Sequence, residues 1–477
     1  MDVTLSASGI WKVDNSDKEY YGDLYLNMDE GGIVLYIRIP NSGAPMSFLE
    51  LPLEIPFING STMNGAKITL VDCVRITTES RIGSEEVYGY KANYMLDGVN
   101  FETIDDIRFS KMQISIPGII EWGDVSNYVH PKYDGKRDVL IELDDNEPIE
   151  IYSDEEYSLS YYLSYTYPGF YLIQEEITLK QTPYLIIESK SLQQLEWYMS
   201  KAKQMKRLIE IAMAEPLGFD KMIVESPEIY YEIDDNVKRN RSIEVIHANK
   251  ENISKNKNNH RRLKHEFLFS LNELRNANFS KWQEISSIME PVIELYIDSL
   301  YNKKMSISRH FQNMVQALET YHSRRICYSL SDFKKRVEKI ISIRPEAFRD
   351  EDRKFLLNDS YKFVTLKSRL ADLLLAEFTY YFYTADIKHL DFPKVIADTR
   401  NYYTHYDKKL EERALKGDDL INAFHILRNI LEFYLLKEFG FEEEFIHERI
   451  RERIKPLATN IEIKQADQRK KQEQGFK

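Results

Sequence analysis

The spacing of apolar residues changes along the chain, first near Ser191, and that change limits the fold class. Before it, short runs alternate or carry β-branched and aromatic residues: Gly22–Asn27, Gly32–Arg38, Lys67–Asp72, Val87–Asn93 and Lys111–Ile116. Turn signals at Asp29–Gly32 and Asn59–Gly60 bound them, which predicts a β-rich sandwich or open barrel over residues 1–175. After it, Leu192, Leu195, Tyr198, Met199, Ala202, Met205, Leu208 and Ile209 recur at three and four, a helical period that runs to about Pro216. Two short β-like runs follow, Glu228–Glu232 and Ser242–Ile246. From about Phe267 the pattern is nearly all helical, with helices expected over 281–302, 306–327, 332–343, 360–382, 392–405 and 418–438. The expected class is therefore α+β and multidomain. The divisions are 1–175, a mixed connecting region 176–300, an all-α bundle 301–460 and a polar tail 461–477.

Several function classes lose their basis at once. Glycine numbers 18 in 477 residues, and neither G-x-G-x-x-G nor G-x-x-x-x-G-K-[ST] occurs, so phosphate loops of the Rossmann or Walker type are not expected. No apolar run reaches the length of a membrane span, and MDVTLSASGIWKVDN does not read as a secretory signal. Cys73 and Cys327 are too few for a disulfide framework or a four-cysteine metal site. These features lead us to expect a cytoplasmic protein with no metal, no cofactor and no membrane partner.

The net charge of −13 argues against a nucleic-acid substrate only as an average. Residues 1–175 hold 12 basic and 30 acidic side chains, a net of −18, which leaves 52 and 47, a net of +5, for the rest. Residues 238–264 carry nine Lys and Arg against Glu244 and Glu251, either a solvated loop or a strip for phosphates. The split also raises the expectation that the acidic part shields a basic cleft.

The segment Asp391–Tyr406 (DFPKVIADTRNYYTHY) carries the best candidate chemistry. Asp391 can cap a helix and Pro393 suits its first turn. Arg400 supplies a permanently charged fork that matches phosphate oxygens, and His405 a group that titrates near neutrality and can move a proton. Asn401 can orient the phosphate or the attacking hydroxyl. Five residues turn a straight helix by about 500°, leaving Arg400 and His405 about 140° apart. They converge best if the helix ends or loosens near Thr404, letting the imidazole swing back toward the guanidinium. The alternative is a plain structural role, with Arg400 paired to Asp398 or Asp407 and His405 closing a helix.

Three stretches of the helical part resemble a HEPN domain of the ApeA-like branch: HFQNMVQALETYHSRR (310–325), VIADTRNYYTHYDKK (395–409) and DLINAFHILRNILEFYLLKEFGF (419–441). At the other end, residues 6–37 resemble the start of the ApeA N-terminal domain, with a G-x-W element, a G-x-L strand and a glycine turn. The resemblance implies a metal-independent endoribonuclease that acts as a homodimer, with Arg400 and His405, aided by Asn401, as its site. It also implies a role in bacterial anti-phage defence, where RNA cleavage halts growth and tRNA is the RNA class the family favours. The partners would then be RNA, a second copy of the chain, and a phage protein or other phage-derived trigger at the N-terminal domain.

His322 and Arg324 on the opening helix are expected to face the same cleft and touch substrate, against the plainer reading of surface side chains. Tyr402 is either a stacking platform for a base or, with Tyr403, part of the core. Glu319 is expected to contact a neighbouring helix, Arg400 included. The Asp144–Glu147 cluster lacks a calcium-loop pattern and reads as a solvated turn. The rival function is a non-catalytic dimerisation or nucleotide-binding module whose β domain binds a glycan or a phage protein.

Overall fold

The computed structural model describes residues 5–14, 18–27, 32–40, 51–80, 85–128, 143, 147–166, 178–234, 237–248, 266–277, 279–326, 330–358, 364–382 and 391–455. The Asp144–Asp145 pair, residues 249–264 of the basic stretch, Cys327 and the tail lie outside them. By its contacts the chain forms two compact units, residues 1–209 with 217–262, and residues 210–216 with 263–477.

The first unit opens with β1 (Leu5–Val13), β2 (Glu19–Asn27), β3 (Gly32–Pro40), β4 (Glu54–Thr62), β5 (Lys67–Ser80) and β6 (Glu85–Asp97). Neighbours run β3-β2-β1-β4-β5-β6, all antiparallel, and β3 also pairs β6 from Ile33 opposite Ala92 to Pro40 opposite Glu85. That last pairing closes the sheet into a six-stranded barrel, where the sequence had left a sandwich and an open barrel. Strict alternation drives it: on β2, Tyr20, Leu24 and Leu26 are buried while Tyr21 and Tyr25 face solvent. Trp11, Leu35, Tyr88 and Tyr90 help to fill the interior. Trp11 lies opposite Gly60 on β4, where any Cβ would come within 2.3 Å of the indole. The Asn59-Gly60 pair expected to form a turn is therefore mid-strand. The glycine makes room for the ring, and the Asn59 amide donates to the Phe101 carbonyl at 2.6 Å.

The barrel continues into a second sheet because β6 is long enough to serve both. Its Tyr94–Asp97 end pairs a late strand. That sheet is built from β7 (Arg108–Ser115), β8 (Ile149–Ser153), β9 (Tyr157–Tyr165), β10 (Gln181–Gln194), β11 (Lys221–Glu225) and β14 (Ile243–His247). Its order is β6-β14-β11-β7-β10-β9-β8, while β12 (Tyr230–Asp234) and β13 (Val237–Asn240) form a separate hairpin. The helices of this part are α1 (Ile119–Gly123) and α2 (Leu195–Met213). The division expected at residue 175 thus cuts one sheet. β10, β11 and β14 pair with strands far earlier in the chain, which local periodicity does not encode.

The second unit is helical, as expected. It holds α3 (Leu271–Asn276), α4 (Phe279–Ile288), α5 (Glu290–Tyr301), α6 (Ile307–Tyr321), α7 (Leu330–Ile343), α8 (Asp350–Asn358), α9 (Leu366–Leu373), α10 (Phe392–His405), α11 (Gly417–Glu438) and a further helix over 443–455. The single helix expected over 281–302 divides at Met289, because Pro291 fits only a helix's first turn. In place of one helix over 360–382 there are α9 and a 3₁₀ stretch, Ala376–Phe382. Among the described residues no helix is long and apolar enough to cross a membrane.

α11 is the centre of this unit. Every residue from Ile430 to Leu436 is buried, so neighbours surround it on all sides, α4 and α6 among them. One of those residues is charged. The Glu432 carboxylate accepts from Arg428 Nε at 2.8 Å, from the Tyr296 hydroxyl at 2.7 Å and from Arg453 Nη1 at 2.6 Å. Burial alone would raise its pKa, but Arg453 and Arg428 with the Tyr296 hydroxyl hold it down at about 2. A carboxyl depressed below its usual 4.5 stabilises the fold above that value and loses the contribution as pH falls toward 2. Replacing Glu432 with Gln leaves two arginines without their counter-charge and should cost about 3–5 kcal/mol at neutral pH. Denaturant titrations at pH 7 and pH 3 should show that deficit narrowing on acidification. A constant difference would contradict the assignment.

Candidate active site

α10 is built to end abruptly. Pro393 occupies its first turn, where a missing N–H costs nothing, while Asp391 makes no side-chain capping bond, contrary to expectation. His405 is the last helical residue. Tyr406 turns the chain with a left-handed φ of 51°, its N–H bonded to the Tyr402 carbonyl. The Thr404 hydroxyl donates to the Arg400 carbonyl at 2.8 Å within the last turn. The helix therefore does not loosen before His405. Two further bonds pin the returning loop to it: Tyr403 donates to the Leu415 carbonyl at 3.1 Å, and the buried Thr399 hydroxyl accepts from Leu415 N–H at 3.1 Å.

Arg400 reaches α6. Its Nη2 lies 3.5 Å from Glu319 Oε2, the partner expected from the sequence, though Glu319 is half-buried rather than buried. Its Nη1 donates to Asn401 Oδ1 at 3.1 Å, which leaves the Asn401 amide nitrogen free to donate outward. Arg400 stands at a cleft of about 680 Å³ formed by α6, α10 and the end of α5. Arg400 and Thr404 line this cleft and His405 does not. His405 is exposed and hydrogen-bonds no described residue. Among the described residues, neither a hydrogen bond nor a shared place in the cleft lining joins the two motif side chains.

The cleft is not basic. Arg309 and Arg400 are matched by Asp298 and Glu319 among its lining residues. Where the charge split raised the expectation of a basic cleft, the described lining is balanced in charge. Asp298 on α5 and Gln312, Asn313 and Gln316 on α6 were not singled out from the sequence. The three on α6 had a signal, a polar stripe at three- and four-residue spacing opposite the buried Phe311, Met314, Val315 and Leu318.

The other expected contacts fall elsewhere. His322 is buried, not cleft-facing. Its Nδ1 lies 3.3 Å from Arg369 Nη1, and because a guanidinium only donates, Nδ1 accepts and Nε2–H donates to Asp372 at 2.9 Å. Arg369 in turn lies 4.0 Å from Glu319, so the histidine is the link before Asp372 in a polar chain that runs Arg400, Glu319, Arg369, His322, Asp372. Its burial follows the helical spacing, four residues after Leu318. Arg324 donates to the Ile288 carbonyl at the end of α4, and neighbouring Arg325 forms a bidentate pair with Glu438. Tyr402 packs edge-on against Tyr403 and Tyr406, with Lys416 Nζ 5.6 Å from its ring centre. None of the three lines the cleft. Among the described residues, no three His, Cys, Asp or Glu side chains are grouped to hold a metal ion.

Residues 6–282 match the family model of ApeA N-terminal domain 1, and residues 312–445 that of the Apea-like HEPN domain. The first match alone spans more than half of the chain, so the chain belongs to the ApeA family. The two domains together are those of an anti-phage, HEPN-type protein. No curated protein and no solved structure matches the chain.

His322→Ala removes the buried side chain that joins Arg369 to Asp372 and should lower stability by about 2 kcal/mol or more. A denaturation midpoint equal to the parent's would contradict the buried role.

Proposed function

We propose that this protein is an endoribonuclease of anti-phage defence that cuts RNA without a metal ion at a site completed by a second copy of the chain. The observation that carries this reading is the division of labour on α10. Arg400 is aimed into a cleft with Asn401 beside it, and His405 stands exposed at the helix end, without a partner among the described residues.

The reaction follows from those groups. Arg400 and the Asn401 amide hold the scissile phosphate and take up charge as the pentacoordinate state forms. One His405 removes the proton from the ribose 2′-hydroxyl. The 2′-oxygen attacks phosphorus, and the bond to the 5′-oxygen breaks. A protonated His405 from the second copy supplies the proton to that leaving oxygen. The products are a 2′,3′-cyclic phosphate and a 5′-hydroxyl end. RNA is required because DNA has no 2′-hydroxyl, and tRNA is the RNA class this account favours. Trigger recognition falls to the β-rich unit, whose barrel presents Ile10, Tyr21 and Tyr25 to solvent as contact area for a phage-derived component.

Arg400→Ala and His405→Ala should each reduce RNA cleavage by about 100-fold or more while leaving the fold intact, since oriented charge and proton transfer each contribute on that scale. Cleavage should persist in EDTA. A His405→Ala chain cutting at the parental rate, or a strict need for added Mg²⁺, would overturn the mechanism. RNA bound but left intact by the parent would point to the non-catalytic module instead.

A further inference from the structure

The cleft beside Arg400 has a lining whose chemistry goes beyond phosphate. Its wall is one stripe of α6, from Arg309 through Gln312, Asn313 and Gln316 to Glu319. The ends of that stripe lie ten residues apart, about 15 Å along the helix axis. Two arginines balance two carboxylates, and three carboxamides occupy the middle. A lining neutral in sum does not attract a run of phosphates. Carboxamides are side chains that pair with the edges of bases.

Gln312 is engaged with Thr404 at 3.5 Å, and Asn313 has its polarity fixed by a carboxylate. Asn313 Nδ2 donates to Asp298 Oδ2 at 2.7 Å. A carboxylate can only accept, so the Asn313 nitrogen is held toward Asp298 and its carbonyl oxygen is turned away from it. Asp298 is steadied in turn by the Asn302 amide on its other oxygen. The cleft therefore presents an oriented acceptor about two helical turns from Glu319, on the same stripe as the Arg400 contact.

We propose that this cleft reads an unpaired nucleobase next to the phosphate held by Arg400. Asn313 accepts an N–H from the base edge, and Asp298 is a positioning residue that sets the amide's direction. The inference rests on the endoribonuclease reading above. The base is unpaired because a duplex occupies its Watson–Crick edge and closes the major groove of A-form RNA to side chains. The preferred base carries an exocyclic amino group, as adenine, cytosine and guanine do. Uracil is disfavoured, since two carbonyl oxygens flank its single edge N–H and would face the Asn313 oxygen.

The test uses the full chain and single-stranded RNAs that vary one base beside a fixed cleavage point. The parent should cut beside amino-bearing bases about tenfold faster than beside uracil, the discrimination one oriented hydrogen bond supplies. Asn313→Leu should erase that ratio. Asp298→Asn should erase it too, by letting the Asn313 amide turn over. Equal parental rates for all four bases, or an Asn313→Leu chain with the parental ratio, would overturn this inference and leave the cleavage mechanism standing. A second arm measures binding of RNA tetranucleotides to the His405→Ala chain, so that cleavage is not needed. The same base preference, lost in the His405→Ala, Asn313→Leu double variant, supports the inference even if the parent proves unable to cut. Binding without preference overturns it.

Discussion

The helical unit depends on a single buried carboxylate. Glu432 sits where α11 is covered on every side, and its charge is tolerated only because Arg428, Arg453 and Tyr296 converge on it. Those partners come from α11 itself, from the helix over 443–455 and from α5. The cluster therefore fixes three helices to one another through short, directional, charge-assisted bonds. α6 packs against α5 and α11, and α10 packs against α6. The wall of the cleft and the seat of Arg400 are set by elements this cluster holds in register. An apolar core of the same size would bury as much surface but would define the rotation of each helix less narrowly.

Helix geometry then dictates the form of the site. A motif whose members are five positions apart, with four residues between them, cannot place both on one face of a regular helix. α10 stays regular to His405, because Thr404 bonds back to Arg400 and Tyr406 supplies an abrupt left-handed stop. Arg400 is turned inward and tied by Glu319 to the polar chain that ends at His322 and Asp372. His405 is turned outward and left uncommitted. Two copies that faced each other across this helix end would bring together the pair of proton carriers that 2′-hydroxyl attack requires. On the proposed function, the uncommitted histidine and the tethered arginine would be two halves of one device.

Much of this was legible in the sequence, and the failures have physical causes. α10 is expected over 392–405 and found there, because proline marks its start and the apolar positions keep a helical period. α11 was visible for the same reason, apart from its first residue. Glu319 was placed beside Arg400. The barrel's closure was not visible, since the β3–β6 pairing joins strands some fifty residues apart and leaves no trace in local alternation. The Asn59-Gly60 pair misled because its glycine serves Trp11 across the barrel rather than a turn. His322 misled because two adjacent arginines suggested a surface, while its spacing from Val315 and Leu318 put it on the buried face.

The central claim is that the site is complete only when two chains meet. The most direct measurement is RNA cleavage per chain across a dilution series, set beside the mass of the same samples by analytical ultracentrifugation. The account predicts that activity per chain rises over the concentration range in which monomer becomes dimer. Full activity from chains that sediment as monomers would contradict it.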